Sequence, residues 1–154
     1  GDLRHLLTAS VSIDAFNDLT IASIPSSSNT TTSASATYGL SPRRGQWSAR
    51  LTASYVANDL ETFKTTMQGI TVGGRYRLFD GKLTPDATVI ISNNVIQSMP
   101  EELQLTLRAG VIGSILETLQ ATMRFQWTNV QSDDTVRGRS YTETLTSLGL
   151  RWTL

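Results

Sequence analysis

Apolar and polar residues alternate along almost the whole chain. Leu7, Ala9, Val11, Ile13 and Ala15 interleave with Thr8, Ser10, Ser12 and Asp14. The same rhythm runs through Trp47–Tyr55, Ile70–Leu78, Leu103–Val111 and Leu119–Trp127. Thr32–Leu40, Leu83–Ile91 and Leu148–Leu154 keep it with smaller or fewer apolar residues. A period of two over nine or more residues describes a strand with one apolar and one polar face. The pattern predicts eight strands, at 3–17, 30–41, 46–58, 64–79, 82–93, 102–112, 115–130 and 140–154. Together they form one domain over residues 1–154.

The connections between them differ in length. Asp18–Asn29, Asn94–Glu101 and Gln131–Arg139 are long, and Asn58–Thr62 is of middle length. Pro42-Arg43-Arg44-Gly45, Asp80-Gly81 and Ile112-Gly113-Ser114 are short. Asp80-Gly81 carries the signal of a two-residue type I′ hairpin. An antiparallel meander with its short turns at one end and longer loops at the other produces this order.

Composition decides which face is wet. Charged residues make up only 17% of the chain, and its cations are 11 arginines against 2 lysines. Serine and threonine together number 39 of 154. A soluble domain spreads Lys and Glu over its exterior. Here Lys64 and Lys82 fall at strand ends, while Arg50, Arg75, Arg77, Arg108, Arg124, Arg151, Asp14 and Asp86 all take polar-face positions. The apolar face is nearly free of charge. An apolar exterior around a polar interior is the arrangement of a membrane-spanning barrel. No window holds 18 apolar residues, so no transmembrane helix is expected.

The eleven aromatics fall into two groups. Tyr38, Trp47, Tyr76, Phe79 and Trp152 are placed near the short turns, and Phe16, Tyr55, Phe63, Phe125, Trp127 and Tyr141 near the longer loops. Two aromatic girdles, with none at mid-strand, are what two membrane interfaces favour.

The last residues, Ser147-Leu148-Gly149-Leu150-Arg151-Trp152-Thr153-Leu154, read polar-x-Gly-x-x-apolar-x-apolar. This resembles the terminal assembly signal of Gram-negative outer-membrane β-barrels, with Gly149, Trp152 and Leu154 at its marked positions. Leu154 stands where that family usually has Phe or Trp. The resemblance implies an eight-stranded antiparallel up-and-down transmembrane β-barrel of the small OmpA/OmpX type, or the C-terminal strands of a larger barrel. It also implies insertion by the barrel assembly machinery, contact with the lipid bilayer and lipopolysaccharide, and residence in the outer membrane. Gly1-Asp2-Leu3-Arg4-His5 has no apolar signal core, so a signal peptide is expected to have been removed.

In an eight-stranded barrel the interior is just wide enough to be filled by side chains. The sequence predicts a network of Arg50, Arg75, Arg77, Asp86, Arg108, Arg124 and Arg151 with Thr and Gln, in which Asp86 pairs with Arg75 or Arg77. Inward Gly39, Gly73, Gly110 and Gly149 would make room for it. The expected role is non-enzymatic, structural or surface-binding. A passive anion-preferring channel and a soluble β-barrel ligand binder are the alternatives. With no cysteine, one histidine and zero net charge, the chain offers no thiol chemistry, no catalytic site, no cofactor or metal site and no nucleic-acid surface. Asp133-Asp134, beside Arg137 and Arg139, reads as a solvated loop tip.

Overall fold

A computed structural model describes residues 2–17, 28–60, 63–97, 101–116, 118–132 and 140–152. It contains eight strands: β1 (Leu3–Asn17), β2 (Ser28–Pro42), β3 (Trp47–Leu60), β4 (Phe63–Tyr76), β5 (Leu83–Ile96), β6 (Glu102–Ser114), β7 (Leu119–Ser132) and β8 (Tyr141–Trp152). They form one antiparallel sheet in sequence order, so every neighbour is a hairpin partner. This is the up-and-down meander that the alternation predicts.

The polar face is the inner one. Leu51, Val72 and Val89, neighbours on the apolar face, keep 46%, 52% and 38% of their surface exposed. Thr106 and Thr128, on the polar face, keep 2% and 4%. A soluble protein would bury the opposite set.

One full register row on the apolar face runs His5, Leu40, Ala49, Gly74, Ala87, Ala109, Phe125, Thr146. On β1 the large apolar residues Leu7, Val11 and Ile13 lie on the long-loop side of this row. On β8, Leu148, Leu150 and Trp152 lie on its short-turn side. The apolar belt therefore crosses the register obliquely, drifting by about nine residues over seven strand-to-strand steps. With strands about 4.8 Å apart and a rise of about 3.3 Å per residue, a level belt requires the strands to lean by about 40°. That is the lean of strands in a membrane barrel wall.

The expected closure of strand one on strand eight is not made. Among the described residues no β1 Cα lies within 8 Å of one in β8, and both strands are exposed on both faces. The sheet ends in two open edges. Alternation encodes which face is inside and hairpins encode neighbours, but neither encodes the radius of curvature, so closure was not legible from them.

Three connections also differ from expectation. The β4–β5 connection is a four-residue loop, Phe79–Lys82, centred on Asp80-Gly81 rather than a two-residue turn; Phe79 (φ 52°), Asp80 (φ 56°) and Gly81 (φ 89°) are left-handed, with Gly81 N–H donating to Leu78 O at 3.0 Å and Lys82 N–H to Phe79 O at 3.1 Å. The Leu78–Leu83 bridge fixes that frame and puts a phenylalanine in the left-handed region. β3 and β4 pair as far as Leu60 and Phe63, so the middle-length loop shrinks to two residues. β7 begins at Leu119, because Ile115 and Leu116 donate N–H bonds to Leu119 O and form a turn. The two longest loops and Asp133, Asp134, Arg137 and Arg139 lie outside the described residues.

Trp47 and Tyr76 pair at the short-turn margin, and Tyr55 and Trp127 sit toward the other margin. Among the described residues three aromatics depart from the girdles. Tyr38 shares a row with Leu51 and Val72 inside the belt, Phe125 stands at the middle of β7, and Tyr141 pairs with Val130 on the polar face.

Candidate functional site: the arginine rows of the inner face

Two adjacent rows on the polar face gather most of its charge. The first carries Arg4 on β1 opposite Ser41, then Ser48, Arg75, Asp86, Gly110, Arg124 and Ser147 on β3 to β8. The second, two residues toward the long loops, reads Leu6, Gly39, Arg50, Gly73, Thr88, Arg108, Gln126, Leu145. Five arginines and one carboxylate therefore share two rows.

Glycine partners give these arginines room. Arg50 has Gly39 on one side and Gly73 on the other, and Arg124 faces Gly110. A Cβ on Gly73 would come within 2.9 Å of Thr88 Oγ1, and one on Gly110 within 2.8 Å of Asp86 Oδ1. The second contact locates Asp86: its carboxylate leans over the bare backbone of Gly110, toward β6. Although Asp86 stands opposite Arg75 in register, no ion pair within 4.0 Å joins it to an arginine among the described residues. The expected Asp86 pairing with Arg75 or Arg77 is corrected accordingly: the carboxylate occupies the space that the missing side chain of Gly110 leaves open.

Arg108 is anchored, its Nε donating to Gln126 Oε1 at 3.0 Å. Gln126 Nε2 reaches Thr128 Oγ1 at 3.3 Å, and Thr128 Oγ1 lies 3.4 Å from Thr106 Oγ1. Gln104 Nε2 donates to Thr106 Oγ1 at 3.1 Å. This chain belongs to a hydroxyl row above the arginines: Thr8, Thr37, Thr52, Thr71, Ile90, Thr106, Thr128, Glu143. Thr37 and Thr52 are hydrogen-bonded at 3.0 Å within it. The row is invisible in linear sequence, because its members lie 15 to 29 residues apart and only register unites them.

The remaining expected residues lie elsewhere. Arg151 pairs with Gln120 near the short turns, away from the two rows. Arg77 lies beyond the last residue of β4, in a 240 Å³ recess shared with Arg75, Gln46 and Trp47. Gly149 faces Thr122 on the inner face, Trp152 is 72% exposed on the apolar face, and Leu154 is outside the described residues. Asp14 and Glu143 lie on the polar face opposite Thr31 and Thr128, outside the arginine rows. His5 Nδ1 lies 2.6 Å from Tyr38 Oη on the apolar face.

A cavity of 690 Å³ opens over Arg4, Arg50, Arg75, Asp86, Thr84 and Thr88. A smaller one of 110 Å³ lies over Asp86, Arg108, Arg124, Gln126 and Ser147. Asp86 lines both. A cationic, hydroxyl-rich wall of this kind can attract anions and hydrogen-bond polar solutes.

No protein-family model matches the sequence, and no curated protein matches it significantly. Solved structures do match. A loop L8 deletion mutant of OmpT, an outer membrane protein of Vibrio cholerae, superposes with a TM-score of 0.71 at 12% identity, over 96% of this chain and 49% of its own. In-vitro folded OmpT from the same organism, in its trimer form, gives 0.62 at 15% identity, over 97% and 50%. The fold is that of an outer-membrane β-barrel wall, and the chain spans about half the length of these neighbours.

Proposed function

We propose that the chain forms part of the wall of an aqueous outer-membrane pore, wider than eight strands, that passes small polar solutes and favours anions. One observation carries the reading: the sheet shields its polar face and holds a cavity over it but does not meet itself, with β1 and β8 apart among the described residues. Eight closed strands leave an interior filled by side chains, whereas barrels of about 16 strands enclose an aqueous channel. In lipid an open edge leaves backbone groups unsatisfied at several kcal/mol each, so further strands must complete the ring. The five arginines and one carboxylate of the two rows supply the anion preference. The role is non-enzymatic. Residence in the outer membrane, contact with lipopolysaccharide and insertion by the assembly machinery through Gly149, Trp152 and Leu154 belong to the same proposal.

Planar-bilayer recording of the complete barrel that carries this wall tests it. Stepwise conductance with a reversal potential displaced toward the chloride potential in a KCl gradient is expected. A folded protein that inserts into bilayers without conducting would instead favour a closed, plugged barrel with a structural role.

A further inference from the structure

The arginine rows contain a repeat. On β3 and β4, Arg50 occupies the upper row and Arg75 the lower. On β6 and β7, Arg108 occupies the upper row and Arg124 the lower. Each couple is a diagonal cross-strand pair, with Cα atoms about 7–8 Å apart. The two diagonals run in the same sense, three strands apart. Each includes one arginine whose row partner is glycine: Gly73 for Arg50 and Gly110 for Arg124. Between them β5 contributes Asp86 to the lower row and Thr88 to the upper.

We propose that these are two equivalent stations for one oxyanionic group of a solute, phosphate or carboxylate in type, and that Asp86 is the partition that keeps the solute from bridging both. The inference rests on the pore reading for its physiological setting and deepens it by naming the solute class. Two guanidiniums at diagonal spacing can each turn a pair of N–H donors onto one tetrahedral or planar oxyanion, which matches the fork geometry of arginine. The glycine opposite one member of each pair removes the side chain that would otherwise stand beside that guanidinium. In the β6–β7 station Arg108 is held at Nε by Gln126, so its terminal nitrogens are the groups left to turn toward a solute. The β3–β4 station opens into the 690 Å³ cavity with Arg4, Thr84 and Thr88 near it, enough for a solute body carrying hydroxyls. Asp86 lines both cavities without an ion-pair partner among the described residues, where its charge repels an anion from the middle ground.

The test is block of chloride current by inorganic phosphate in planar bilayers, using wild-type protein, Arg50→Ser/Arg75→Ser, Arg108→Ser/Arg124→Ser and Asp86→Asn. Saturable phosphate block is expected. Each double variant leaves the other station intact and should raise the half-blocking concentration about twofold; each charge acts from about 7 Å in a water-like medium, so removing both arginine pairs together should raise it about tenfold and Asp86→Asn, which faces both stations, should lower it about threefold. Arg→Lys versions of each pair keep the charge and lose the fork, and should recover only part of the block. Phosphate block that ignores both double variants, or an Asp86→Asn channel that binds phosphate more weakly, would overturn the stations while leaving the pore reading intact. Absence of conductance would remove the pore reading alone. The stations would then be judged by ³¹P line broadening of inorganic phosphate titrated with folded protein in neutral detergent. Broadening lost in the arginine variants would support them, and no broadening would end the proposal.

Discussion

The oblique apolar belt makes a demand that a level belt would not. Leu51 on β3 and Thr144 on β8 stand on one register row, joined through Val72, Val89, Leu107 and Trp127. If strands lean by about 40°, five strand steps of about 4.8 Å separate the two residues by about 16 Å in depth. Leu51 lies near the centre of the belt, so Thr144 falls beyond the half-thickness of an apolar band about 25 Å tall. Arginine at the midplane costs about 2–4 kcal/mol, and near the interface about 0–1 kcal/mol. Leu51→Arg should therefore destabilise the protein by about 2–4 kcal/mol and Thr144→Arg by no more than about 1 kcal/mol. Urea titration in lipid vesicles, followed by tryptophan fluorescence and by the heat-modifiable gel shift, reads both. Equal costs at the two sites would mean that rows lie parallel to the membrane plane, and the derived lean would be wrong.

Other consequences can be checked with the same preparation. Thr106→Val removes a buried hydroxyl bonded to Gln104 and near Thr128, and should cost about 1 kcal/mol, with no loss of conductance. Gly110→Ala should change stability by less than about 1 kcal/mol, because the clashing atom is the end of a flexible Asp86 side chain, yet it should shift ion selectivity by moving that carboxylate. Deleting Leu150–Leu154 removes Trp152 from its pairing with Leu119 and should abolish the heat-modifiable folded band in cells. Folded protein that stayed monodisperse in buffer without lipid or detergent would contradict the outward apolar face.

What the sequence could show follows from what period two encodes. Thr52 and Leu51 reveal their opposite faces by adjacency alone, and Pro42–Gly45 announces its turn through residue types. The hairpins then fix neighbours, so the antiparallel order was readable. Register was less so. The Asp80-Gly81 signal marked the centre of the β4–β5 turn but not its length, because the Leu78–Leu83 bridge closes a four-residue loop rather than a two-residue one. The site was legible as a list of inward arginines, but not as pairs. Arg50 and Arg75 are 25 positions apart, and Arg108 and Arg124 are 16 apart. Only cross-strand register shows that they form the same diagonal. The direction in which Asp86 leans depends on the missing side chain of Gly110 on the next strand. Closure was not encoded in either pattern.

The lean also orders events in time. Because register rows climb relative to the membrane, two arginine pairs that share the same rows do not share a level. Three strand steps raise the β6–β7 pair above the β3–β4 pair by about 10 Å toward the long loops. An anion arriving from the loop side would meet Arg108 and Arg124 first, then turn along the wall past Asp86 before reaching Arg50 and Arg75. In the proposed pore its route would be a corkscrew with two rests rather than a straight fall through a ring of charge. Flux along such a route saturates when the first rest is occupied, and a second anion entering behind the first would hasten its departure by repulsion.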